Sequence, residues 1–153
     1  MDVNLVNPFL NATLNVLETM AFVKAEAEKP YLKKDNVAQG DVSGIVGITG
    51  SVKGTVSVTF DEVCILKIVS SMFGEEMQEI NHEISDAVGE LTNMISGQAR
   101  QEIEEIGKIL HGAIPTVVTG KNHKLISMTK GPKIAIPFKT DAGNFTVEVC
   151  LEG

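Results

Sequence analysis

The apolar residues of this chain change period twice, and that change bounds the folds open to it. Around Phe9, Leu10, Leu14, Leu17, Met20 and Ala21 they recur at helical spacing. From Thr55 to Phe60 they alternate: Val56, Val58 and Phe60 point one way, Thr55, Ser57 and Thr59 the other. That is the pattern of a half-buried strand. A helical period then returns and runs through the longest regular segment, about Ile80 to Gly107. Strands gathered in runs apart from helices imply α+β, an antiparallel sheet covered on one face by helices.

The predicted elements follow from local signals. A first helix spans residues 4–24, with Asn7 as N-cap and Pro8 at its first position. Tyr31–Gln39 leaves room for a short strand. Ser43–Thr49 and Thr55–Phe60 form a hairpin turned by Gly50, Ser51, Lys53 and Gly54. Asp61 opens a second helix over 61–73, and Gly74 ends it. The third helix is capped by Asn81 or Ser85. Ile114–Thr119 reads as a strand. Lys133–Thr140 and Phe145–Leu151 read as a second hairpin around Asp141–Asn144. Phe145, Val147, Val149 and Leu151 face one way, and Thr146, Glu148 and Glu152 the other. Pro137 cannot donate to a ladder, so its strand is an edge or carries a bulge. The chain of 153 residues is expected to form one domain over 1–153.

Composition excludes several classes of function. There are 13 cationic and 20 anionic side chains, for a net charge of −7, and Arg100 is the one arginine. Such a chain is a poor ligand for nucleic-acid phosphates or an anionic membrane. No apolar run approaches the ~20 residues of a membrane span, and Met1-Asp2-Val3-Asn4 lacks a basic leader. Cys64 and Cys150 form no CxxC, and are expected to be reduced apolar fillers in a cytoplasmic protein. His82, His111 and His123 have no metal-ligand spacing. Glycines 40, 44, 47, 50 and 54 make neither GxGxxG nor a Walker loop, Gly120-Lys121 is not a P-loop, and there is no GxSxG.

The informative stretch is Asp86-Ala-Val-Gly89-Glu90-Leu-Thr-Asn93-Met94-Ile-Ser-Gly97. On an ideal helix with Asp86 at zero, Glu90 falls near about +40°, Asn93 near about −20°, Gly97 near about +20° and Arg100 near about −40°. Ile84, Leu91, Ile95 and Ile106 fall at roughly 140–200°, the expected buried side. A bare Glu-x-x-Asn arises by chance in about a third of chains this long, at ~5% per residue type, and is weak alone. The two mid-helix glycines are harder to dismiss, because each costs about 1 kcal/mol relative to alanine. Placed on or beside the polar side, they would let another backbone approach Glu90 and Asn93. A plain solvated helix face remains the alternative.

This stretch resembles the signature of the CheC/CheX/FliY family of bacterial chemotaxis phosphatases: an acidic residue, Gly-Glu-x-x-Asn-Met, then Gly. The opening Phe9–Met20 helix and the Ser43-Gly44-Ile45-Val46-Gly47 … Lys53-Gly54 hairpin are similar to CheX as well. The resemblance covers nearly the whole chain. It implies dephosphorylation of a phosphorylated CheY-type response regulator. Glu90 would pair with the regulator's active-site lysine, and Asn93 would orient the water that attacks the aspartyl phosphate. The chain would need no cofactor or metal of its own, Mg²⁺ coming with the regulator. It also implies a homodimer joined through sheet edges. Some family members carry two such motifs. Here Glu18 is followed three residues later by Ala21, and Asn11 and Asn15 have no Glu three residues upstream, so one site per chain is expected, with Asn11 and Asn15 on an exposed face. A non-catalytic module that only docks a receiver domain is the alternative function.

Of the flanking residues, Asp86 and Arg100 are open to more than one reading. Asp86 fixes the surroundings of Glu90 or contacts the regulator, or is an ordinary exposed carboxylate. Gly89 and Gly97 clear space for the partner. Arg100 meets an acidic patch on the partner or pairs with Glu104 one turn on, the local pair being favoured. Met94 belongs to the edge of the core.

Overall fold

The computed structural model describes residues 3–125 and 131–152. Three helices, α1 (Val3–Ala21), α2 (Glu62–Phe73) and α3 (His82–Glu105), lie on an eight-stranded sheet of β1 (Glu26–Ala27), β2 (Tyr31–Lys33), β3 (Val42–Gly50), β4 (Lys53–Phe60), β5 (Leu110–Gly112), β6 (Thr116–Thr119), β7 (Lys133–Thr140) and β8 (Gly143–Glu152). Every pairing is antiparallel. The expected α+β architecture of two hairpins under helices is present, the hairpins joining where β4 pairs with β8.

The helices cover the face predicted from alternation. Val56, Val58 and Phe60 share it with Phe145, Val147 and Val149, all at most 2% exposed. Phe145 stacks on Phe138 at 5.0 Å between ring centroids and meets Phe60 at 5.1 Å. α2 is capped as expected. Asp61 accepts from the Cys64 amide at 2.7 Å, and Gly74 ends the helix at φ 70°. Of the two candidate caps for α3, Asn81 serves, accepting from the Ile84 amide at 3.1 Å.

α1 departs from expectation. It starts at Val3, so Asn7 is no cap and Pro8 lies inside the helix. Proline removes only one hydrogen bond so near an end, and the added turn buries Leu5 and Val6. The helix stops at Ala21, short of residue 24, where Phe22 turns to φ 55° and its amide bonds the Glu18 carbonyl at 3.1 Å.

β7 is no bare edge, because β1 and β2 pair with it on either side of Pro137. The Glu28 amide donates to the Pro137 carbonyl at 2.8 Å. The proline nitrogen therefore faces the break between the two stubs, where no donor is needed. The far face of the sheet is not open to solvent either. Segments 34–41 and 120–125 cross it, joined by the Ala38 amide to the His123 carbonyl at 2.7 Å and the Leu125 amide to the Asn36 carbonyl at 2.7 Å. Beneath them Glu148, expected on an open face, is buried and pairs with Lys33 at 3.1 Å.

The sheet order β1-β7-β8-β4-β3-β5, with β2 beside β1 and β6 beside β5, reads the same from both ends. The likeness extends to register. From Ala27 to Tyr31 the chain advances four residues while its partner β7 moves three, from Phe138 to Ala135. From Gly112 to Thr116 it advances four while β3 moves three, from Ile48 to Ile45. In each break one amide bonds the long strand: Glu28 to the Pro137 carbonyl, Ala113 to the Gly47 carbonyl at 2.9 Å. α1 and α3 correspond too. Thr13 and Thr92 are both fully buried, and each hydroxyl donates to the carbonyl four residues back, Phe9 and Val88, at 2.7 Å.

Candidate functional site

α3 is long because it combines an apolar face with a good cap. Ile84, Val88, Leu91, Ile95, Ala99 and Ile103 are fully buried, which turns the opposite face outward. Ile106 breaks this pattern. It sits at the C-cap and is 54% exposed, because the helix ends before its side chain can reach the sheet.

Glu90 and Asn93 are both exposed, one turn apart on the outward face, which on a helix places their Cβ atoms about 5–6 Å apart. Among the described residues, neither side chain has a hydrogen-bond or ion-pair partner within the chain. They line an open groove of about 460 Å³ with Ser85, Asp86, Gly89 and Met94 from α3 and Pro115 and Val117 from the opposite wall. That second wall is β6 and the residue before it. Sequence reading placed the strand over 114–119 and missed β5, whose three residues carry no alternation, but β5 and β6 together hold the wall along β3.

The flanking residues sort themselves by geometry. Asp86 is exposed and reaches back to His82 at 3.3 Å, not forward to Glu90. Gly89 is buried, not clear for a partner as expected: a methyl there would touch Val117 at 3.4 Å, because β6 runs directly over it. Gly97 is different. A methyl there would meet only Arg100 Nη2, at 3.9 Å, so the chain's own packing does not require glycine. Arg100 does not pair with Glu104. Its Nε donates to Ser96 Oγ at 3.2 Å, and its guanidinium lies over Gly112, where a Cβ would come within 2.9 Å of it. Arg100 thus clamps β5 to α3. Met94 is half-buried, packing on the core while edging the groove.

The correspondence of the helices shows what α1 holds in the same places. With Thr13 at the position of Thr92, Leu10 stands for Gly89, Asn11 for Glu90 and Leu14 for Asn93. Asn11 donates instead to Glu102 at 3.3 Å and Asn15 to Gln98 at 2.8 Å, tying α1 antiparallel to α3. Among the described residues, no three His, Cys, Asp or Glu side chains converge as a metal site, and no helix is long and apolar enough to cross a membrane.

The family model for the chemotaxis phosphatase CheX matches residues 42–139, which hold both β3–β4 and the whole of α3. The chain belongs to the CheX family. A CheX relative, the CheY-P phosphatase CheX of Thermotoga maritima, is 28% identical over 128 residues, 83% of each chain. The solved CheX of Desulfovibrio desulfuricans is 52% identical, with a TM-score of 0.91 over 97% of this chain and 99% of that one. A CheX–CheY–BeF3–Mg²⁺ complex from Borrelia burgdorferi has a chain that is 28% identical, with a TM-score of 0.82 over 97% of both.

Proposed function

We propose that the chain is a phosphatase of a phosphorylated CheY-type response regulator, acting through Glu90 and Asn93. The observation that carries this is the groove itself. An acid and an amide, both unpartnered among the described residues, stand one turn apart on a rigid helix beside an open space. The named activity of the Thermotoga relative and the CheY complex of the Borrelia relative support the same partner.

Hydrolysis of an aspartyl phosphate needs a water in line with the P–O bond to the aspartate. The water's oxygen bonds to phosphorus as the aspartyl carboxylate leaves, and the water's protons pass to the phosphate product and solvent. An amide both accepts and donates, so Asn93 holds the water by one group and meets the phosphoryl oxygens with the other. Positioning is the main catalytic contribution here, as for the water-orienting glutamine of small GTPases. Glu90 pairs with a lysine of the regulator and sets the depth of insertion. Mg²⁺ arrives bound to the regulator and neutralises phosphoryl charge. Asp86 lines the groove beside Glu90, Arg100 holds β5 behind it, and Gly97, one turn beyond Asn93, leaves room for a partner backbone.

The deciding experiment follows loss of phosphate from an isolated receiver domain charged with an acyl phosphate. The wild type accelerates it, Asn93→Ala loses about a hundredfold in kcat with little loss of docking, and Glu90→Ala loses both. Binding without acceleration by the wild type would assign the chain to the docking-only class. The homodimer is a separate proposal. Both ends of the sheet finish in stubs of two to four residues, which leave strand edges for pairing, and a monomer in sedimentation at micromolar concentration would refute it.

A further inference from the structure

The two ends of the sheet provide an internal control for the groove. Glu28 and Ala113 make the same amide bond in the same break, and Tyr31 and Thr116 begin the same outer strand. The residues between them therefore correspond one to one: Lys29-Pro30 at one end, Ile114-Pro115 at the other. Lys29 is exposed, and a lysine is an ordinary occupant of such a loop. Ile114 is 88% exposed, the most exposed of the large apolar side chains among the described residues. The fold does not demand an apolar residue there, since the matching loop does without one.

What distinguishes the two loops is the neighbouring helix. α3 packs against β5 and β6 and carries Gly89 and Asn93 beside Pro115, whereas α1 has no comparable packing on β1 and β2. Pro115 lines the groove of Glu90 and Asn93, so Ile114 stands at its lip.

The lip is also held stiff. The Ala113 amide is bonded to the Gly47 carbonyl, β6 is paired from Thr116, and Pro115 restricts the backbone of Ile114 to extended conformations. Arg100 packs on Gly112 from behind. A β-branched side chain adds little rotamer freedom of its own. Little entropy is then lost when a partner covers it.

We propose that Ile114 is a docking prong for the receiver domain of the phosphorylated regulator, buried by that domain when the Glu90/Asn93 groove engages it. This rests on the groove being the regulator's docking site. Ile114 touches no reacting atom. Its contribution is affinity for the receiver, and a receiver presenting charge opposite Ile114 is a poor substrate.

The test replaces Ile114 by the residue that the matching loop carries. Wild type, Ile114→Lys and Asn93→Ala are assayed on an acyl-phosphate-charged receiver across receiver concentrations, with thermal melting alongside. Burial of an isoleucine predicts a KM, and a Kd by titration, raised about tenfold or more in Ile114→Lys. Its kcat stays within about twofold and its melting temperature is unchanged, whereas Asn93→Ala shows the reverse split of kcat and KM. An active wild type with unchanged KM in Ile114→Lys overturns the prong and leaves the phosphatase standing. So does unchanged KM with a sedimentation change, which would make Ile114 a contact between copies of the chain. No acceleration by the wild type overturns both.

Discussion

Thr92 Oγ1 occupies the space that a side chain on Gly44 would need. Thr92 precedes Asn93, and Gly44 lies on the strand that also carries β6. This one close approach therefore sets the depth of α3 against the wall of its groove. The Thr92 hydroxyl is turned back to Val88 at 2.7 Å, so it cannot swing aside without losing that bond.

Gly44→Ala is expected to destabilise the protein by about 1–3 kcal/mol, the usual cost of overpacking a filled core. It should also lower phosphatase activity by lifting α3. Thr92→Ala removes the obstacle, so the double variant should recover part of the loss. Urea denaturation of the four proteins in a double-mutant cycle reads the coupling. Additive effects would mean that the helix is seated elsewhere.

Gly97 gives a prediction in which stability and activity move in opposite directions. Nothing in the chain crowds a methyl there, so Gly97→Ala should stabilise the isolated protein by up to about 1 kcal/mol. The same methyl raises the rim of the groove and should lower dephosphorylation by raising KM for the regulator. A variant both more stable and equally active would show that no partner backbone comes close to position 97.

Gly97 and Gly89 mark where the sequence was legible and where it was not. The polar stripe of α3 and the alternation of β4 and β8 follow from period alone, and the structure has both. Gly97 lies where the helical wheel placed it. Gly89 has the same local sequence character but is covered by β6, and only the pairing of residues 116–119 with β3 reveals that. Arg100 turned from Glu104 to Ser96 for the same reason, because a strand unseen in the sequence lies beside it. β1 and β5 are too short to show a period, and α1 runs through Pro8 because buried Leu5 and Val6 outweigh one lost hydrogen bond. Glu148 looked like a solvent-facing residue because nothing local announces the two segments that cross that face of the sheet.

That covered face holds a prediction independent of the phosphatase reading. Lys33 Nζ lies 3.1 Å from Glu148 Oε1, with side chains 9% and 6% exposed, and also donates to the Val37 carbonyl at 2.6 Å. Removing Glu148 leaves the Lys33 charge buried with a longer, 3.9 Å approach to the exposed Asp35 carboxylate in its place. Glu148→Ala should therefore cost about 3–5 kcal/mol, while the double change Lys33→Met with Glu148→Leu should be close to neutral. Equilibrium denaturation decides it. A cost below about 1 kcal/mol for Glu148→Ala would mean that water reaches the pair.

Cys64 offers the last test, through pH. Cys64 is buried, its Cβ and Cα lying against Gly143, and its thiol is pushed up to about 12, first by burial, which desolvates the thiolate, and then by the nearby Asp61 carboxylate, partly offset by a hydrogen bond from Thr140. In the unfolded chain a cysteine titrates near about 8.5. Below that value both states hold the proton, so the group adds no pH dependence. As pH rises above it, the unfolded state ionises while the folded state does not, and stability is lost progressively toward pH 12. Other groups titrate in this range, so the comparison is with Cys64→Ala, whose stability should fall less steeply from pH 9 to 11 than that of the wild type. The same burial should keep the thiol unreactive toward a disulfide reagent at pH 8 until the protein unfolds. Equal pH slopes, together with rapid labelling of the native protein at Cys64, would show that the α2 end of the β7–β8 turn opens readily and that Gly143 does not seal it.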